Sequence, residues 1–456
     1  MPKPIANPFV AIVAVGLGTL IVPLDSSVNI AFPDITGNFE ISINSIQWVV
    51  ICYVLTYSSL MLVFGKLGDL FGHRRIFRIG LAVSVIAFAL CGSATDFVWL
   101  LFFRFCQGLG AALVISCSPA LATACYPEAQ RAKALGIYTA MFGLGAVIGP
   151  SLGGVMVEAW GWSAVFWFRV PISLIALGAT FLIPSPAQAA ISKPFDLVGA
   201  FLLALALSTL LLALNQAQSA QSETIVVVAL AAVSVLGFIG FVYQESRFVE
   251  PIIRLGVFRD LDFSILNLVN FVANLVGFSV MLLVPYFLVR AAEYPTWLGG
   301  IVLGCAPLGV AMAGPSGGWA IERIGARKVA LLGALFLIGG LFAVSTWNKE
   351  SAIQVLIASL MLHGFGLGLF HVAYMHIVTG TLSRGDRGVA GSLGMVTRSA
   401  GIVTGAAVLS GLFANAAPSI GFLSAFQAVF DYAGMGFAIF VALTLVRPGI
   451  WLKKAE

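Results

Sequence analysis

The chain is built from uncharged apolar runs, each about as long as a bilayer is thick. Spanning about 30 Å of hydrocarbon takes roughly 20 helical residues. Fourteen runs of that order stand between short stops of charge, proline or glycine, at approximately 9–31, 44–64, 77–94, 98–125, 134–157, 163–183, 196–216, 223–243, 263–289, 298–319, 329–346, 351–378, 389–413 and 422–446. Of the 456 residues, 60% are hydrophobic and 9% charged, against about a quarter charged in soluble domains. Hydrocarbon offers the backbone no partner, so each run has to satisfy its own amides as a helix. The class that remains is an all-α integral membrane protein crossing the bilayer many times. The 49 glycines follow no G-X-Y period, which sets collagen aside, and disorder, secretion and nucleic-acid binding go with it.

Cys52, Cys91, Cys106, Cys117, Cys125 and Cys305 lie in or beside apolar runs, and none forms a C-x-x-C pair. No disulfide framework, metal site or cofactor is expected. The first run follows a lone Lys3 and carries no A-x-A cleavage site, so it is expected to be retained as the first span.

Orientation follows from the bases. With both ends in the cytoplasm, Lys66, Arg74, Arg75, Arg78, Arg131, Lys133, Arg254, Arg323, Arg327, Lys328, Arg384, Arg387, Lys453 and Lys454 all fall inside, while Arg290 and Lys349 fall outside. This is the positive-inside bias, and it requires an even number of spans. The formal charge of +5 therefore reads as topology and inner-leaflet affinity. A cell membrane, the inner one in a bacterium, is the expected location.

The chain also repeats itself. Gly65-Lys66-Leu67-Gly68-Asp69-Leu70-Phe71-Gly72-His73-Arg74-Arg75 follows span 2, and Gly318-Trp319-Ala320-Ile321-Glu322-Arg323-Ile324-Gly325-Ala326-Arg327-Lys328 follows span 10. Glycine, acid, glycine and two bases match at one offset. Two six-span halves are implied, 1–190 and 251–456, with two extra spans and a linker at 191–250. Repeated halves around a central site are how secondary transporters build alternating access.

Four motifs carry a family resemblance over nearly the whole length. The loop after span 2 is similar to the G-x-L-a-D-r-x-G-r-[KR] signature of the major facilitator superfamily, with Gly65, Leu67, Asp69, Gly72, Arg74 and Arg75 matching and Leu70 replacing the usual base. Span 4 reads Leu100-x-x-x-Arg104-x-x-Gln107-Gly108-x-Gly110-Ala111-Ala112, which resembles that superfamily's l-x-x-x-R-x-x-q-G-x-g-a-a pattern. Span 5 holds Gly145-x-x-x-Gly149-Pro150-x-x-Gly153-Gly154, similar to the antiporter motif. Span 1 ends in Leu24-Asp25-Ser26-Ser27-Val28-Asn29-Ile30-Ala31-Phe32-Pro33, which resembles a motif of the 14-span drug:proton antiporter branch.

The resemblance implies a major facilitator fold of two six-helix bundles plus an inserted two-helix hairpin, fourteen helices in all. It implies a cytoplasmic gate at Gly65, Asp69, Gly72, Arg74, Arg75, Glu322 and Arg327, proton coupling through Arg104, and export favoured by the motif at Gly145, Gly149, Pro150, Gly153 and Gly154. Two further matches depart from the branch pattern. Gly161-Trp162-Ser163-Ala164-Val165-Phe166-Trp167-Phe168-Arg169-Val170-Pro171 has Arg169 where asparagine is usual and Ser163 where arginine is usual. Arg398-x-x-Gly401-x-x-x-Gly405 in span 13 resembles R-q-l-G-g-a-l-G.

Helical rise places Asp25 about 25 Å above the inner edge of span 1, and Arg104 about 8 Å below the outer edge of span 4. In a core of about 30 Å the two sit at one depth, so they can pair. Burial favours the protonated carboxyl and a nearby arginine favours the carboxylate. A gate that couples and separates them can load and release a proton, and Asp25 and Arg104 are the coupling candidates. The competing role for Asp25 is to cap or orient span 1. In the superfamily, spans 1, 4, 9 and 12 of such a chain line the cavity. Asn29, Gln107, Asn270, Asn274, His371 and Arg398 are the substrate-cavity candidates, with Asn267, His363 and His376 on the same spans. Asp431 is the other acid at membrane depth.

The expected function is proton-coupled antiport that exports a small amphipathic compound, with a small-molecule substrate, protons and the bilayer as partners and a monomer as the working unit. Cation pumps show several cavity carboxylates, so a cargo that is neutral, zwitterionic or anionic fits the single Asp25. The alternative is proton-coupled symport for uptake. A membrane-embedded enzyme or sensor is the distant alternative, since no paired-carboxylate, H-E-x-x-H, G-x-S-x-G or P-loop constellation occurs.

Overall fold

A computed structural model describes residues 8–124, 131–182, 196–217, 223–249, 255–381 and 387–452. Its helices, in chain order, are α1 (Pro8–Leu20), α2 (Ile43–Phe71), α3 (His73–Gly92), α4 (Phe97–Ala124), α5 (Arg131–Trp160), α6 (Arg169–Ala179), α7 (Leu197–Ala217), α8 (Thr224–Arg247), α9 (Leu261–Tyr286), α10 (Thr296–Ile324), α11 (Ala326–Ser345), α12 (Ile353–Thr381), α13 (Arg387–Ile420) and α14 (Phe422–Thr444). Among the described residues, twelve spans are long and apolar enough to cross a membrane, and two further apolar helices, Ala164–Ala179 and Leu197–Leu210, are shorter. The molecule is therefore a multi-pass, all-helical membrane protein. Its outer faces expose Ile86, Phe181, Ile225, Leu236, Ile239 and Leu443, as hydrocarbon solvation requires.

The reversals between helices show why the sequence repeats. Gly72 joins α2 to α3 at φ 92°, and Gly325 joins α10 to α11 at φ 88°. Both lie in the region where a Cβ is strained, so each copy of the repeated loop needs its glycine. Arg74 beside the first turn is half-buried and Arg75 is exposed. At the second turn Glu322 is exposed. Arg327 donates to the carbonyls of Gly449 (2.6 Å) and Ile450 (3.1 Å) and lies 3.6 Å from Asp262. The Asp69 side chain lies outside the described residues, and Gly65 sits 3.9 Å, measured from an ideal Cβ, from Ser116 Cβ.

The N-terminal and C-terminal parts of the chain meet along two seams, α5 against α10 and α2 against α13. At the first seam backbones touch with almost no side chain between them. A Cβ on Gly154 would lie 2.6 Å from the Thr296 carbonyl oxygen, and one on Gly300 would lie 2.9 Å from Gly154 Cα and strike the Pro150 carbonyl. Small residues permit this approach, and dispersion between the backbones stabilises it. The end of the molecule away from the basic loops is tied across the halves. Arg290 donates to the Pro33 carbonyl (2.9 Å) and Thr36 Oγ1 (2.8 Å), and Glu158 Oε2 accepts from the Thr296 N–H at 2.7 Å. Asn29 also reaches across, 3.5 Å from Met281 Sδ. By the charge bias this tied end faces outward.

Candidate functional site: a buried charge cluster beside the central seam

Span 1 is not one continuous helix. After α1 the chain turns through a 3-10 segment, Pro23–Ser26, and resumes as Ser27–Ile30 and Phe32–Asn38. Pro23 supplies no amide donor, which favours the break, and Asp25 sits within it. The glycines of the span 5 motif hold this segment. A Cβ on Gly145 would lie 2.7 Å from the Leu20 oxygen, one on Gly153 would lie 2.7 Å from Ser27 Cβ, and one on Gly149 would strike Ser26 Oγ. Ser26 Oγ in turn donates to the Pro23 carbonyl (2.9 Å) and across to the Ala146 carbonyl (3.2 Å). Residues four apart share one helix face. Gly145, Gly149 and Gly153 thus form the groove that seats the broken span, while Gly154 faces the other half.

That placement delivers Asp25 to two arginines. Arg104 grips it in a bidentate pair, Nη1 to Oδ1 at 2.6 Å and Nη2 to Oδ2 at 2.7 Å. Arg169 donates to the same Oδ1 at 2.7 Å, and Gln107 Nε2 adds a bond of 2.8 Å. Both Nε donors are spent on carbonyls, Arg104 on Val49 (2.8 Å) and Arg169 on Val165 (2.8 Å), and Arg104 Nη1 is also bonded to Gln107 Oε1 at 2.8 Å. Aromatic faces cover both cations, with Tyr53 4.4 Å from Arg104 and Phe88 4.5 Å from Arg169. Arg104 is 1% exposed, Arg169 0% and the Asp25 side chain 12%. Arg169 Nη2 is buried without a partner.

The cluster holds one acid against two bases, leaving one positive charge in excess. Taking such groups out of water costs several kcal/mol per ion, and close pairing offsets only part of it. The structure therefore joins Asp25 and Arg104, which depth arithmetic puts at one level, brings in Gln107 from the cavity candidates, and adds Arg169, noted in the sequence only as a departure from a pattern. An arginine inside an apolar run needs a polar partner; that signal was present in the sequence.

The other cavity candidates divide. Asn270 Nδ2 donates to Thr397 Oγ1 at 2.8 Å, joining α9 to α13, and Asn274 Nδ2 lies 3.1 Å from His371 Nε2 on α12. Arg398 is exposed on α13, within electrostatic reach of Tyr57 and His371. Asn267 is bonded by Tyr374 Oη at 2.7 Å. His363 is buried where α12 packs on Gly340 of α11, its Nε2 3.8 Å from an ideal Cβ on Gly277 of α9, and His376 is exposed. Asp431 is half-buried on α14. Among the described residues no group of three or more His, Cys, Asp or Glu could hold a metal ion.

An all-helical, multi-pass chain with a charge cluster buried among its spans suits a membrane transporter. The chain belongs to the Major Facilitator Superfamily, whose model matches residues 15–307. Its relatives include the Riboflavin transporter RibZ of Clostridioides difficile (strain 630), 28% identical over 89% of this chain and 88% of the relative. The Multidrug resistance protein Stp of Mycobacterium tuberculosis (strain CDC 1551 / Oshkosh) is 30% identical over 88% of this chain and 75% of the relative. The Tetracenomycin C resistance and export protein of Streptomyces glaucescens is 30% identical over 90% and 76%. In fold the chain is similar to the nucleoside transporter NupG, with a TM-score of 0.69 at 12% identity over 95% of this chain and 99% of that one.

Proposed function

We propose that this transporter is a proton-coupled antiporter that exports a small amphipathic compound by alternating access. It belongs, on this reading, to the 14-span branch, with α6 and α7 completing the count. Residues 1–190 and 251–456 form the two moving halves, and α7 and α8 form the inserted hairpin in 191–250. The observation that carries the reading is the double-arginine grip on Asp25, both bases being sealed from solvent. Protonating Asp25 removes the anion that ties span 1 to α4 and α6, so both guanidiniums lose their main partner at once. A proton on that carboxyl thereby changes how tightly the broken part of span 1 is held in the Gly145, Gly149 and Gly153 groove. Gly154 carries the same helix into contact with the opposite half, which links the cluster to rocking. Two of the relatives carry names of resistance and export, which supports the direction.

With Asp25 engaged by two bases, the cargo is proposed to be neutral or anionic. A growth-inhibition panel comparing cells with and without the gene selects a compound. Everted vesicles with an acid interior are then expected to accumulate it, and an uncoupler abolishes the uptake. Asp25→Asn, compared at equal amounts of folded protein, loses the uphill component. An Asp25→Asn pump that works as well as the parent removes the coupling assignment. The relative named as a riboflavin transporter favours a second reading, proton symport into the cell. An imposed proton gradient separates the two, since it drives cargo in opposite directions.

A further inference from the structure

One cation in the interior has no counter-charge. Counted from the end that carries the basic loops, Arg398 lies about three turns into α13, and His371 about three turns from the matching end of α12. The two therefore stand at one level of the membrane. Among the described residues Arg398 takes part in no ion pair and no hydrogen bond. It is exposed, and its electrostatic neighbours are His371 on α12 and Tyr57 on α2, which turns it toward the interior. A charge kept at membrane depth without a partner reads as part of a site.

Asn274 fixes the proton on the neighbouring ring. Its Nδ2 donates to the Asn270 carbonyl at 2.7 Å, and a flipped amide would set its oxygen against that carbonyl. The same Nδ2 faces His371 Nε2 at 3.1 Å. An amide nitrogen only donates, so Nε2 accepts and the ring proton sits on Nδ1. The half-buried His371 thus offers an N–H beside a guanidinium that can only donate. Tyr57 adds an aromatic face from the N-terminal part of the chain, its ring 5.3 Å from that of Tyr53, which in turn covers Arg104. The Asp25 cluster on that side is itself positive by one charge, so the field along this path favours an anion.

We propose that Arg398, with the His371 N–H beside it, is the subsite for the acidic group of the cargo, an organic carboxylate whose aromatic or apolar body lies against Tyr57. The proposal deepens the export reading and rests on it for the claim that the bound anion is cargo. The guanidinium matches a carboxylate with two parallel donors, and the imidazole supplies a third. A cationic compound finds no acceptor of opposite charge at this level among the described residues.

The test uses the full chain in phosphatidylcholine nanodiscs with tritiated naphthoate and its neutral counterpart naphthamide, binding to empty discs being subtracted. The parent is expected to prefer the carboxylate. Arg398→Gln should weaken carboxylate binding by about tenfold or more, the factor for one hydrogen bond to a charged group, and leave the amide unchanged. The ratio of the two affinities does not depend on how much of a variant is folded. Arg398→Lys, which keeps the charge and loses the planar fork, is expected to restore part of the preference. A parent that binds both probes equally, or neither, overturns the proposal, as does an Arg398→Gln protein that keeps the preference. Displacement of naphthoate by inorganic phosphate as readily as by unlabelled naphthoate would make this a site for small anions and overturn the claim on cargo. Asp25→Asn protein is expected to lose pumping and keep the carboxylate preference, so failure of coupling and failure of the subsite read out separately.

Discussion

Deleting either of the two bases that hold Asp25 should not cost the same as deleting the acid, and the order of the costs follows from counting charges. In the parent, one carboxylate faces Arg104 and Arg169, both sealed from solvent. Asp25→Asn leaves two buried cations facing each other with only an amide between them. Breaking a buried pair by removing one partner costs about 3–5 kcal/mol, and here two pairs are lost together. Arg169→Met instead leaves Arg104 and Asp25 as a neutral bidentate pair with Gln107 still attached. It also removes the orphaned Nη2, whose burial costs about 1–3 kcal/mol. Arg169→Met should therefore cost clearly less than Asp25→Asn, since it leaves no buried charge without a partner. Arg104→Met falls between, because it breaks the bidentate pair but leaves Asp25 bonded to Arg169 and Gln107. The assay is thermal unfolding of the purified protein in nanodiscs, with all variants scanned at one rate. An Arg169→Met protein that melts below Asp25→Asn refutes the charge count, and with it the claim that the cluster carries surplus positive charge.

Three other expectations follow from the same coordinates. Gly300→Leu places a side chain against Gly154 and Pro150, and overpacking of this kind costs about 1–3 kcal/mol; transport should fall while a cysteine at Thr296, in a background without the native ones, becomes more reactive to an impermeant maleimide. Half-buried Asp34 sits in the outward turn, where burial and the charge of Glu158 push its carboxyl above the usual carboxylate range while Arg290 opposes them. The folded state thus binds that proton more tightly than the unfolded one, and stability is lost as pH rises above about 4. Asp34→Asn should melt higher than the parent at neutral pH, with the advantage vanishing in acid; an advantage that grows in acid contradicts it. Tyr53→Leu removes the ring 4.4 Å from Arg104, and should destabilise by about 1–2 kcal/mol in the same melts, with Tyr53→Phe far milder.

Run length and the positive-inside bias disclosed the helical membrane class, because both are set by the bilayer, which acts on every segment alike. The repeated loop was legible for a local reason. Gly72 and Gly325 occupy the same left-handed backbone region, and no other residue takes it cheaply. Span 6 shows where run length stops informing. The apolar stretch at 163–183 is interrupted between Trp167 and Arg169, so the helical pieces it yields are short although the stretch is not. At the site, Asp25 and Arg104 could be set at one depth by rise per residue, since depth is one-dimensional. Arg169 could not be placed this way. Its reach to Asp25 depends on how α6 leans against α3 and on the break at Pro23, and both are matters of tertiary packing. The division of labour among Gly145, Gly149, Gly153 and Gly154 was equally hidden, because a spacing of four announces a smooth face without naming what lies on it.

The bareness of the contact between Gly154 and Gly300 has a mechanical consequence. Two cogs that mesh have to lift clear of each other before either can turn, whereas two smooth rollers only change their line of touch. Where peptide planes ride on peptide planes, no interlocked rotamers need to be undone, and the joint itself sets little of the barrier to tilting. On the proposed reading, the pace of the cycle then falls to the electrostatic catch around Asp25, and a protein with a stiffened joint and an intact catch would turn over slowly for a reason no cargo analogue could reveal.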